Sequence, residues 1–280
     1  DRKFCIYNKT PVHLVADVQG AFASGGSLGF TRMGPDRKLD TRLSGGRAAA
    51  NSITHVQTDA TGATAVLVNL TMTDGPSGGY ITADKCSKLS PGAQTKSNGN
   101  FVPNRNIANL SVVPVENGEF CIYTESAVHL VVDVQGYFSP GGPLELTLVP
   151  PSPQNRILDT RGGPMPPGGT KTNVLVNAPA GTDAVLVNLT MTQSPGGGYI
   201  TADRCDAITP GLQTKSNGNF VPGQDIANLS VVPIENGRFC IYTESDVHLI
   251  VDVQGYFSTS NGLRFTSTDP TRMLDTRLVG

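Results

Sequence analysis

The segment from Gln94 to Phe138, which runs from QTKSNGNFVP through IANLSVVP and FCIYTES to VDVQGYF, returns almost letter for letter from Gln213 to Phe257. Its tail occurs a third time near the start of the chain, from Phe4 to Phe22. Cysteines fix the register: Cys86 and Cys205 stand 119 positions apart, as do Cys121 and Cys240, while Cys5 precedes Cys121 by 116. A period this long exceeds the repeats of solenoids and propellers and suffices for a small domain with its own core. The 280 residues are therefore read as a tandem array cut in mid-unit. Residues 1–22 would be the closing strands of an incomplete repeat, 23–138 and 139–257 two repeat domains, and 258–280 the opening strands of another incomplete repeat.

The apolar pattern within one unit has period two. In AVLVNLTMT, Val66, Val68, Leu70 and Met72 share one face and Leu67, Asn69, Thr71 and Thr73 the other, as in a half-buried strand. GGYITAD reads as a strand entered through glycines, and IANLSVVPVENGEFCIYTE as a hairpin about Asn117-Gly118, the pair that type I′ turns favour. Pro114 and Pro233 place the first arm of that hairpin at a sheet edge or bulge. The closing strand puts Val128, Leu130, Val132, Val134, Gly136 and Phe138 on its core face. With 32 Gly, 20 Pro and no sustained helical period, the expected fold is all-β: tandem, disulfide-stapled, sandwich-like domains of about 119 residues.

All five cysteines occupy equivalent positions, and the 35-residue spacing within each unit predicts the disulfides Cys86–Cys121 and Cys205–Cys240. A bridge closing such a loop stabilises a domain by about 3 to 4 kcal/mol in the chain-entropy model. Cys5 would be unpaired, or joined to another chain. An oxidising, extracellular or cell-surface location follows. Metal binding is the weaker reading of these cysteines, because neither a CxxC nor a nearby His pair accompanies them.

Several classes are disfavoured. With 21 Lys+Arg against 23 Asp+Glu and no basic run, nucleic acid is not an expected partner. No apolar stretch approaches a membrane span. The serine elbow, phosphate loop, HExxH and paired-acid motifs are missing. His129 and Asp133, like His248 and Asp252, lie four apart on a strand, about 13 Å, which is too far for a catalytic pair. No enzymatic activity, cofactor or metal is expected. The recurring LDTR and VDVQG segments predict a structural ion-pair network instead, drawn from Asp40, Arg42, Asp133, Asp159, Arg161 and Asp252, with Arg161 as a partner for Asp133. The KSNGN loops, with Lys96, Asn98 and Asn100 in one unit and Lys215, Asn217 and Asn219 in the other, are the candidate ligand surface.

The order LDTR, AVLVNLT, a glycine-entered strand ending in Cys, NLSVV, FCIY and VDVQGYF resembles a tandem β-repeat of secreted surface proteins from actinobacteria and related bacteria. That resemblance implies an exported accessory or structural module and transfers no catalytic residue. KSNGN departs from the more apolar SNLN-like stretch of that repeat, which marks the loop as specialised. The expected function is an extracellular fibre, stalk or surface filament built by end-to-end association of β-domains, with further copies of itself as partner in a head-to-tail homopolymer or longer array. The alternative is a glycan-binding adhesin that displays the Asn/Ser-rich loops to surface glycans. The two end pieces, both lacking the central strands, are expected to lie against an adjacent copy rather than to complete each other.

Overall fold

The computed structural model describes residues 3–150, 152–259 and 262–278; residues 1–2, 260–261 and 279–280 of the two end pieces lie outside the described residues. The chain opens with strand β1 (Val15–Ala23) and continues with β2 (Gly29–Asp40), β3 (Ser52–Gln57), β4 (Ala65–Thr73), β5 (Gly79–Asp84), β6 (Gly99–Phe101), β7 (Ile107–Pro114), β8 (Glu119–Thr124) and β9 (His129–Ser139). A second set follows: β10 (Glu145–Leu148), β11 (Arg156–Asp159), β12 (Thr170–Leu175), β13 (Thr182–Thr192), β14 (Gly198–Asp203), β15 (Gly218–Phe220), β16 (Ile226–Pro233), β17 (Arg238–Thr243) and β18 (His248–Ser258). Strand β19 (Arg264–Asp275) closes the chain.

Each repeat folds as two antiparallel sheets, as its alternating sequence requires. In the first domain the orders are β2-β9-β4-β7 and β3-β8-β5-β6; in the second, β10 and β11 pair with β18, which continues to β13 and β16, opposite β12-β17-β14-β15. Between the two sheets of the first domain lie Val66, Val68, Leu70, Met72, Phe120, Ile122, Leu130, Val132 and Val134, all buried. Asn117 and Gly118 both take positive φ, 52° and 79°, as a type I′ hairpin demands, and Asn236 and Gly237 repeat it. β7 and β16, which end at Pro114 and Pro233, lie at sheet edges, where a residue without an N–H is tolerated.

One expectation is overturned at the ends. β1 pairs antiparallel with β19 in a two-stranded sheet, from Val15 opposite Asp275 to Ala23 opposite Arg264. This is the pairing that β9 makes with β2, and it carries the same ion pair: Arg272 to Asp17 at 2.6 Å, as Arg37 to Asp133 at 2.5 Å. The end pieces thus form the opening and closing strands of a third unit. Central strands are not required for that contact, because opening and closing strands are direct neighbours in the sheet.

The three units close a ring. The opening segments LGFT, LELT and LRFT meet in a triangle of bridges, Leu28 with Phe265, Phe30 with Leu144 and Leu146 with Leu263. Backbone hydrogen bonds of 2.7–3.0 Å run in both directions across each side. Phe22, Phe138 and Phe257 from the closing strands, and Phe30 and Phe265 from the opening ones, fill the centre at ring separations of 4.4–6.5 Å. Head-to-tail contact between successive repeats therefore closes on a pseudo-threefold axis within this chain.

Closure explains a departure from the half-buried strand expected for AVLVNLTMT. All nine residues of β4 are buried. Val66, Val68, Leu70 and Met72 face the domain's own core, whereas Leu67 joins the central cluster and Asn69 hydrogen-bonds the second domain.

Candidate functional site

Both expected disulfides are present, Cys86–Cys121 and Cys205–Cys240. Cys5 is free and exposed. His55 brings its Nδ1 near the first pair, and His55, Cys86 and Cys121 hold their ligand atoms within 4.8 Å of one another. Both sulfurs are spent in the disulfide, so this cluster lacks the thiolates a metal site would use.

The ion-pair residues are brought together with different partners from those expected. Arg161 binds Asp159 at 2.6 Å, as Arg42 binds Asp40, each within its own LDTR segment. Asp133 is held by both nitrogens of one fork of Arg37, and Asp252 by Arg156 in the same way. The expected Arg161–Asp133 pair is not formed. Those two residues belong to different domains, and β9 meets its own domain's opening strand first. The sequence signal was the Arg three places before each LDTR aspartate, Arg37, Arg156 and Arg272. Equally legible afterwards is the Thr of LDTR, since Thr41 and Thr160 each bond the Nδ1 of the VHL histidine at 3.0 Å.

Burial sets the electrostatics. Desolvation pushes the carboxyl of Asp133 above its ordinary value, against the opposing Arg37 guanidinium and the Ser216 N–H. Asp40 is also opposed by burial, but its hydrogen bonds with Arg42 prevail and hold it below the usual carboxylate range. Arg161 holds Asp159 well below that range, and Arg277 does the same for Asp275.

The KSNGN loops are built inward. Lys96 pairs with Asp84 and Lys215 with Asp203. Asn98 Oδ1 accepts the Ala83 N–H at 2.8 Å and Asn217 Oδ1 the Ala202 N–H at 2.7 Å, which ties each loop to its own sheet. Asn98 and Asn217 are buried, so they are scaffold rather than display. Asn100 is exposed, whereas Asn219 is buried at the boundary between the two domains.

That boundary explains the VDVQG segment. Asp133 Oδ2 accepts the Ser216 N–H of the second domain at 3.3 Å, and Gln135 Oε1 accepts the Val231 N–H on β16 at 2.9 Å. One step earlier around the ring, Gln19 of β1 does the same for Val112 on β7. The glutamine thus satisfies an edge-strand N–H of the next unit. Asn69 donates to the Ser216 carbonyl and accepts from Asn228, and Arg32 pairs with Asp183. Between the domains lies a polar cleft of about 460 Å³, bordered by Arg37, Thr71, Tyr199, Lys215 and Asn219.

No protein-family model matches the chain, and no curated protein does either. Among solved structures, the crystal structure of the coconut allergen cocosin is similar over 85% of this chain and 87% of that one, at 10% identity and a TM-score of 0.16. At that level the likeness carries no argument about fold or function.

Proposed function

We propose that the chain is an extracellular structural module of a fibre, stalk or surface layer built from this repeat, joined to its neighbours through the open third sheet. The observation that carries the reading is the difference between equivalent strands. β9 is flanked by β2 and β4, whereas β1 is flanked by β19 alone among the described residues. On the face that the first domain buries, Val12 is 59% exposed where Val128 is 0%, and Phe4 is 71% exposed where Phe120 is 0%. An unpaired edge with an apolar face favours strand addition. The complementary strand is of the AVLVNLT type, because that segment lies beside the closing strand in both full domains, so the partner is a further copy of the repeat.

Gln254 supports the same reading. Its counterparts Gln19 and Gln135 each cap an edge strand of the next unit, while Gln254 is exposed. The two disulfides fit an oxidising compartment, and no helix among the described residues is long and apolar enough to cross a membrane.

Calorimetry of the full chain with a synthetic AVLVNLTMT peptide tests the proposal, because β4 and β13 of this chain are each already paired on both sides and the completing strand must come from a repeat that leaves it free. The peptide is expected to bind wild-type chain, and Val18→Lys, which charges the open apolar face, to weaken that binding at least about tenfold. No binding, or binding indifferent to Val18→Lys, would contradict it.

A further inference from the structure

The two disulfides sit on equivalent backbone but among different side chains. In the first domain His55 on β3 lies directly opposite Cys121 on β8, and two places along the same strands Gln57 lies opposite Glu119. In the second domain those positions are Asn173 opposite Cys240 and Leu175 opposite Arg238. Side chains two apart on a strand share a face, so His55, Cys121 and Glu119 converge, and Cys86 joins them from the turn after β5. The first domain thus gathers an imidazole, two sulfurs and a carboxylate, where the second has an amide, two sulfurs and a cation.

Spacing decides what the first set can hold. His55 Nδ1 stands 3.7 Å from Cys86 Sγ and 3.5 Å from Glu119 Oε2. The ligand atoms of His55, Cys86 and Cys121 all lie within 4.8 Å of one another. Tetrahedral zinc(II) with bonds of about 2.0–2.3 Å separates neighbouring ligand atoms by about 3.3–3.8 Å. Both measured edges already match, and only the two sulfurs, joined to each other, do not. Gln57 Nε2 donates to Glu119 Oε2 at 2.6 Å, which orients the carboxylate from behind. The His55 side chain is 63% exposed, so a cation reaches the set from solvent.

We infer that the first domain carries a redox-gated site for a thiophilic divalent cation such as zinc(II), with the Cys86 and Cys121 thiolates, His55 Nδ1 and Glu119 as ligands, closed by the disulfide and opened by a dithiol reductant. In the opening step one thiolate of the reductant attacks a sulfur of the bridge, and its second thiolate breaks the resulting mixed disulfide. The reductant leaves as a cyclic disulfide, and its two electrons and two protons remain on Cys86 and Cys121 as thiols. Cation binding then expels the two thiol protons to solvent. The cation joins the same two elements as the bridge, so it replaces the staple that reduction removes.

Cobalt(II) and zinc(II) titrations of the full chain test it, in a Cys5→Ser, Cys205→Ser, Cys240→Ser background that leaves only the first pair. Reduced with a dithiol and freed of it, this chain is expected to bind one cobalt(II) with the thiolate charge-transfer and d–d absorption of a tetrahedral site, and zinc(II) to displace it; the oxidised chain should bind none. His55→Ala, at an exposed position where folding is not at stake, should weaken binding at least about tenfold, and Glu119→Gln should weaken it as well. The complementary chain that keeps only Cys205 and Cys240 should bind at least about tenfold more weakly, and Asn173→His with Arg238→Glu should raise its affinity. No uptake by the reduced first pair, uptake indifferent to His55→Ala, or equal uptake by the two pairs would overturn the assignment.

Discussion

Asp133 and Asp252 are the same letter in two copies of one strand, yet their surroundings differ. Asp133 is 0% exposed, held by Arg37 and by the Ser216 N–H of the second domain, whereas Asp252 is 28% exposed and is hydrogen-bonded by Arg156. Removing one partner of a buried pair leaves an uncompensated charge, so Asp133→Ala is expected to cost about 3–5 kcal/mol. Asp252→Ala should cost about 1 kcal/mol or less. Chemical denaturation of the two variants beside wild type checks the contrast; equal losses would mean that the interdomain seam contributes nothing at this position. Gly136 makes a second argument at this scale. A Cβ there would lie 2.2 Å from Phe30 Cζ and 2.6 Å from the Thr31 carbonyl, and Gly20 has the same contacts with Phe265 and Thr266. The glycine of VDVQG lets the opening strand's aromatic ring lie flat against the closing strand and reach the central cluster. Gly136→Ala should therefore lower stability by about 1–3 kcal/mol. Gly141→Ala, where the added atom meets nothing within 4 Å, should have little effect on the melting temperature.

Strands were legible wherever one face is apolar and the other polar, which is why β4, β5, the β7–β8 hairpin and β9 fall where the alternation places them. The disulfides were legible for a different reason, since a fixed 35-residue spacing repeated in two copies leaves little choice of partner. Each joins a β8-type strand to the turn after a β5-type strand and staples one sheet of its domain. Loss of either bridge, by Cys86→Ser with Cys121→Ser or by the equivalent pair in the second domain, should reduce that domain's stability by about 3 to 4 kcal/mol. Denaturation with and without reductant reads this, and wild type and variant should coincide once reduced. Illegible in the sequence was the second burial of β4 and β9. Asn69, Thr71 and Gln135 look like a solvent face because polar residues build the seam between domains, and hydrogen bonds to another unit leave no mark in a single unit's periodicity.

At the scale of the molecule, the repeat predicts contact between like units but not its symmetry. Whether head-to-tail contact runs open or closes depends on the angle between successive domains, and that angle is set by Leu28, Leu144, Leu263 and the phenylalanines of the centre acting together. For the same reason the sequence of one repeat does not reveal where the end pieces lie: their pairing depends on the ring bringing β1 and β19 side by side, although they are separated by almost the whole chain. The closed ring requires that pairing. Ala21 and Thr266 face each other across it. In a Cys5→Ser background, Ala21→Cys with Thr266→Cys should form a disulfide within a single chain upon mild oxidation of dilute protein, seen as one cross-linked peptide pair in non-reducing maps of the monomer. Free thiols at both positions after oxidation, or a bridge found only between chains, would contradict it.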